Sequence, residues 1–311
     1  MAHVMRHVKT YVMRRVMRSY RMRKFLIPIT LLIGAAVGLI RAFEWREAWD
    51  TELWLMMPWH WLSILLLLCC FAVAVALFLA MRKSPSVAAT PTQEDFEGIR
   101  ALLWADIAAG LVLLVSAALE IRSFIRAQYG MEQVQELFGL IFAILSVFTA
   151  ICVIVTASAA ARGALNRTHS IYMLTPVFWA CFWLLRNIGE YAVNPEPLSF
   201  LFEMLGVVFT LLALYTAAGF FFYRANVRRT MLYGALGIFF LLVTLLGDGL
   251  YYLFWNDFPM GDPTFANLAR ALFALFHLMA IVHAYGAKRK RSRWKHKGRA
   301  GPMYYPYNYP C

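Results

Sequence analysis

Charged side chains inside apolar, membrane-length stretches carry most of the chemistry this sequence offers, because each is costly there unless it is paired or put to use. Arg186 and Glu190 close one such stretch with i, i+4 spacing, so both can project from one helix face. Glu203 opens the next stretch, Asp248 lies about two turns inside the following one, and Arg270 about one turn inside the last. Glu120 and Arg122 end an earlier stretch in the same layer. Charges of both signs at one depth describe an outward polar pocket for a small solute or ion, with Arg186, Glu190, Glu203, Asp248 and Arg270 as its ligands. The structural counterpart is a ring of interhelical ion pairs that orders the helix ends, with groups near the headgroups reaching back to water.

Asp248 stands between Gly247 and Gly249, which are expected to loosen the helix and present carbonyls beside the carboxylate, as interrupted helices do when they hold a cation or proton. His277 follows Arg270 by seven residues and shares its face near mid-span, offering a proton relay from Asp248 past His277. Asp106, about one turn inside the opposite end of its stretch, is placed for an inner gate or for contact with interfacial water.

Helices must position these groups, and a span takes roughly 20 apolar residues. Eight stretches suffice, near 25–40, 53–81, 101–121, 137–161, 171–189, 199–223, 231–255 and 265–286. The expected fold is therefore all-α, a polytopic bundle spanning residues 25–286 between a basic tail (1–24) and a second basic, Tyr/Pro-rich tail (287–311). Basic residues gather at every second boundary: the first tail, Arg82 and Lys83, Arg162 and Arg167, Arg224, Arg228 and Arg229, and the last tail. Of the intervening connections, those near 186–198 and 256–264 are net acidic and that near 122–136 is neutral, so the positive-inside rule predicts both termini in the cytoplasm.

Sixty-one per cent apolar residues in 311 and a mean hydropathy of +0.60 exceed what a soluble domain carries. The formal charge of +13 resides in the tails, which hold eight basic residues each and none of the 17 acids. Arg14, Arg15 and Arg18 at one end and Lys288, Arg289, Lys290 and Arg291 at the other suit anionic lipid of the inner leaflet, at about 1 kcal/mol per residue near the surface. That assignment leaves nucleic acid an unlikely partner. Val4, Val8, Val12, Val16 and Tyr20 form an apolar stripe among the first cations, as in a basic amphipathic helix on the bilayer surface. The last tail lacks aliphatic residues in its Tyr304–Pro310 run and is expected to be disordered.

Trp45, Trp49, Trp54, Trp59 and Trp61, with Trp255, read as an interfacial belt. Gly34 and Gly38 allow close helix approach within the chain or between two copies. Cys69, Cys70, Cys152 and Cys181 read as small apolar groups inside spans, and Asn166-Arg-Thr168 is a glycosylation sequon on the cytoplasmic side, where it would be idle. An offset of 67 residues aligns Glu136 with Glu203 and Arg270, and Phe142 with Phe209 and Phe276, suggesting repeated parallel helical hairpins. No His-Glu-x-x-His, Gly-x-Ser-x-Gly or Walker A pattern occurs, so no catalytic residue, metal or cofactor is expected.

The run Thr175-Pro-Val-Phe-Trp-Ala-Cys-Phe-Trp-Leu-Leu-Arg186, followed by Asn194-Pro-Glu-Pro and Glu203, resembles uncharacterised multi-pass membrane proteins of anaerobic Gram-positive bacteria. That resemblance implies a bacterial inner membrane and supplies no activity. Two functions fit the residues: a permease or substrate-capturing subunit for a small solute or ion, aided by a separate energising subunit, or a sensor or scaffold whose tails bind anionic lipid or a cytoplasmic signalling partner.

Overall fold

The computed structural model describes residues 2–50, 55–56, 60–82, 100–126, 132–193, 197–222, 226–255 and 262–287. It is helical throughout these segments apart from one short pairing and the connecting turns. The helices are α1 (Ala2–Ala48), α2 (Trp61–Arg82), α3 (Arg100–Arg126), α4 (Glu132–Arg162), α5 (Arg167–Tyr172), α6 (Thr175–Val193), α7 (Pro197–Ala218), α8 (Val227–Trp255) and α9 (Asp262–Ala287). Between α1 and α2, β1 (Trp49–Asp50) and β2 (Leu55–Met56) form two antiparallel rungs, Trp49 with Met56 and Asp50 with Leu55. Eight segments are long and apolar enough to cross a bilayer, the fifth combining α5 and α6 over Thr168–Gly189. The chain is an integral membrane protein of the expected class.

Two span boundaries differ most from the sequence expectation. The first membrane helix runs to Ala48 rather than ending near residue 40, and the second begins at Trp61 rather than 53. Arg41 and Glu44, expected in a connection, instead lie fully buried inside α1. Their i, i+3 ion pair compensates the charge that would otherwise end the span. The first 24 residues join this span in one continuous helix, while the last tail's cations lie outside the described residues.

Packing sets α8 at the centre. Its apolar stretch is 78% buried, whereas that of α2 is 22% buried and exposed along most of its length. Small residues bring backbones together on α8: a Cβ on Gly34 or Gly38 of α1 would meet Leu242 at 3.0 Å and Leu246 at 2.9 Å. The small-residue spacing thus serves packing within the chain. On the other flank, Gly234 and Gly237 of α8 admit Val282 and Leu278 of α9, and Gly110 of α3 admits Ile154 of α4. α3 lies along both α4 and α9, so the bundle closes through helices distant in sequence as well as through hairpins. Positions 67 residues apart take different partners: Phe142 stacks with Trp179, Phe209 with Phe240, Glu203 bonds to Asn187 and Arg270 to Glu120.

Local signals explain the corner between α4 and α5. Gly163 adopts φ 73° just past the end of α4, where a side chain would be strained, and Ala164 N–H donates to the Ala159 carbonyl at 2.9 Å. Asn166 of the sequon caps α5, its Oδ1 accepting from the backbone N–H groups of Thr168 and His169.

α8 passes unbroken through Gly247, Asp248 and Gly249, so the expected interruption is absent. Gly247 is there because Arg41 crosses it: a Cβ would lie 2.5 Å from Arg41 Cγ. A Cβ on Gly249 would meet nothing within 4 Å. Gly247→Ala is therefore expected to destabilise by about 1–3 kcal/mol through overpacking. Gly249→Ala should stabilise by about 0.5–1 kcal/mol through helix propensity. Thermal unfolding in detergent reads both; equal effects of one sign would contradict this geometry.

Candidate functional site

One polar cluster lies where α3, α6 and α9 meet. Glu120 takes both guanidinium groups, Arg186 Nη1 at 2.6 Å from Oε2 and Arg270 Nη1 at 2.8 Å from Oε1. Asn267 Oδ1 accepts from Arg270 Nη2. Arg270 is fully buried and Glu120 nearly so, and both arginines pass over the Phe142 ring, at 5.2 and 5.9 Å. The ring's negative face adds to the stabilisation of a site holding two cations and one anion. Next to Arg186 on α6, Asn187 Nδ2 donates to Glu203 Oε1 of α7 at 2.8 Å.

A second cluster joins α1 to α8. Arg41 Nη1 pairs with Glu44 Oε2 at 3.1 Å, and Arg41 Nε lies 3.7 Å from Asp248 Oδ1. Trp45 Nε1 donates to the same Asp248 oxygen at 2.9 Å and its ring stacks on Tyr251 at 5.7 Å. Trp45 is thus a partner of a half-buried acid rather than solely a member of the interfacial belt. Two carboxylates share one guanidinium here, the reverse of the Glu120 cluster, and the Asp248 side chain alone of the three keeps 25% of its surface exposed.

Inward from Glu120, aromatic rings fill the space between α4, α6 and α9. Trp179 is fully buried, stacks with Phe142 at 6.0 Å, meets Phe273 edge-on at 4.9 Å and touches Trp183 at 5.2 Å. Its Nε1–H donates to Ser146 Oγ at 3.0 Å, which donates in turn to the Phe142 carbonyl. Ser146, Thr149, Val153 and Thr156 continue one face of α4 at helical spacing. The hydroxyls of Thr149 and Thr156 are buried without a protein partner.

Beyond these rings, His277 Nδ1 of α9 lies 2.8 Å from Asp106 Oδ1 of α3. The Phe273 ring stacks on the imidazole at 5.8 Å. The pair borders a cavity of about 40 Å³ lined also by Thr156, Ala157 and Ala160. Both side chains are at least 95% buried, and His277 Nε2 has no protein partner.

The sequence-predicted layer therefore divides. Arg186 and Arg270 come together through Glu120, Glu203 turns to Asn187, and Asp248 belongs with Arg41, Glu44 and Trp45. The Glu190 side chain lies outside the described residues. The relay from Asp248 to His277 does not form: His277 pairs with Asp106 of α3, while Asp248 is engaged by Arg41 and Trp45 of α1. Arg41 and Glu44 were missed as site residues; their i, i+3 spacing among Ala42, Phe43 and Trp45 was the available signal. Among the described residues no three His, Cys, Asp or Glu side chains converge as a metal site, and Cys69, Cys70, Cys152 and Cys181 are free thiols. Compared with known proteins, the chain matches no family model, no curated protein and no solved structure at a significant level.

Proposed function

We propose that the protein is a permease for a small solute or ion, with its route along α3, α4, α6 and α9. The observation that carries this reading is the sequence of groups along that quartet. A charged cluster (Glu120, Arg186, Arg270) stands at one end, and buried hydroxyls and the Asp106–His277 pair with its cavity stand toward the other. The rings of Phe142, Trp179, Trp183 and Phe273 close the middle. Polar groups kept at such depth are expensive, and in membrane bundles they mark pathways. An aromatic plug between them corresponds to an occluded state, opened by rotation of Trp179 and Trp183 or by rocking of α6. Asp248, sharing Arg41 with Glu44, adds a second anionic position facing the same end as Glu120.

The basic helix ends and tails support a topology with both termini in the cytoplasm, where they meet anionic lipid of a bacterial inner membrane. Energy would come from an ion gradient or a separate subunit. A sensor or scaffold is the alternative, favoured by the pairing of Glu120 with two arginines and of Arg41 with Glu44 and Asp248, which suits permanent clasps.

The test is thermal stability of purified protein across ions, amino acids, nucleobases and vitamins, in wild type, Arg186→Gln and Asp106→Asn, which alter the two polar ends of the route. A ligand at about 100-fold its Kd should stabilise the folded protein by about 2.7 kcal/mol. The expected result is a rise confined to one chemical class and abolished by at least one variant. No rise for any solute, with both variants strongly destabilised, would overturn the permease reading in favour of clasps.

A further inference from the structure

We propose that Asp106 and His277 together hold one exchangeable proton, delivered through the water-sized cavity at the end of the bundle that carries Arg162 and Arg228. The proposal deepens the permease reading by naming the coupled ion, and rests on that reading for flux though not for binding.

The charge state makes the argument. A carboxylate beside a neutral imidazole leaves one net negative charge buried at membrane depth, which is costly. One added proton makes the pair neutral overall, whether as imidazolium–carboxylate or as imidazole–carboxylic acid. A proton moving from a cavity hydronium to the pair leaves a water molecule behind, so the step needs no oxidant, reductant or other co-reactant. The 2.8 Å contact gives proton and pair a common site.

The surroundings isolate that site from every other charge described near it. α4 offers the Thr156 hydroxyl, while α7 offers Ala217, the turn after it Phe221, and the turn between α5 and α6 Met173. α8 meets α9 through apolar contacts at Gly234 and Gly237. On α9 itself, Arg270 lies about two turns outward beyond the Phe273 ring and is engaged by Glu120. Among the residues lining the cavity, Asp106 and His277 alone carry ionisable side chains.

The cavity supplies the path. A water needs about 10–15 Å³ of accessible space and two or more polar partners. The roughly 40 Å³ present has room for more than one, and His277 Nε2 and Thr156 Oγ1 are buried polar atoms on its wall with no protein partner. A hydrogen-bonded water between them would satisfy both and connect the pair to the basic end of the bundle.

Infrared difference spectra of the full-length protein in nanodiscs, between acidic and alkaline buffer, test this directly. Wild type should show carboxyl and imidazole bands that vanish in both Asp106→Asn and His277→Gln, and that shift in D₂O within minutes. Thr156→Val leaves the pair intact and should slow the deuterium exchange several-fold; it carries the test if the other variants fail to fold. Bands unchanged in Asp106→Asn and His277→Gln, or exchange as fast in Thr156→Val as in wild type, would overturn the proposal. In proteoliposomes with an internal pH dye, a gradient-driven proton flux lost in His277→Gln supports both readings. Bands that vanish as expected without any flux would leave the proton site standing and remove the permease reading.

Discussion

Glu120→Gln is expected to be the most damaging single substitution in the bundle, lowering stability by about 3–5 kcal/mol, since breaking a buried ion pair from one side strands the opposite charge. Here it strands two. Arg186 and Arg270 share the Glu120 carboxylate, the first 12% exposed and the second fully buried, and neither guanidinium can shed its proton at accessible pH. Lowering or raising pH between 5 and 9 should therefore restore nothing. Replacing the cations as well, in Glu120→Leu/Arg186→Met/Arg270→Met, should recover most of the loss, because apolar groups of similar volume remove the desolvation cost. Unfolding in detergent with increasing denaturant reads all of these. A loss below about 1 kcal/mol in Glu120→Gln would mean that the arginines reach water in the folded protein.

Arg41→Gln should destabilise to a similar extent, about 3–5 kcal/mol at neutral pH, but with the opposite pH response. It leaves Glu44 and Asp248 without the guanidinium between them, and carboxylates can take up protons. Protonation removes the stranded charge in the folded state, so this variant binds more protons folded than unfolded and gains stability as pH falls through the acidic range. The sign thus separates the two clusters: acid rescues Arg41→Gln and leaves Glu120→Gln unaffected. Melting curves of both variants from pH 8 to pH 5 check it, and parallel behaviour would contradict the charge count of two acids to one base at Arg41 and one acid to two bases at Glu120.

The comparison of helix α1 with its expected boundary shows why charge was the hardest part to read. Arg41, Glu44 and Glu47 look like the start of a connection when hydropathy is averaged, and only the contact with α8 reveals that two of them turn inward. Gly247 had a similar history. As a residue type it suggested a loosened helix; in place, it clears room for the Arg41 stem while α8 stays unbroken. His277 and Asp106 were each legible as costly groups at membrane depth, yet their pairing depended on α3 lying against α9, a neighbour distant in sequence.

The sequence by itself determined the class of protein, the number of spans, their alternation of basic and acidic ends, and the presence of buried charges. Those properties follow from local composition, since a bilayer selects every apolar segment of sufficient length independently of its neighbours. Only the tertiary structure decided which charges meet: Glu120 with two arginines, Asp248 with α1, and His277 with Asp106. Partner choice depends on helix order around the bundle, rotation and vertical register, and in an apolar solvent these are set by small-residue contacts such as Gly38 on Leu246 and Gly237 on Leu278, which hydropathy does not encode.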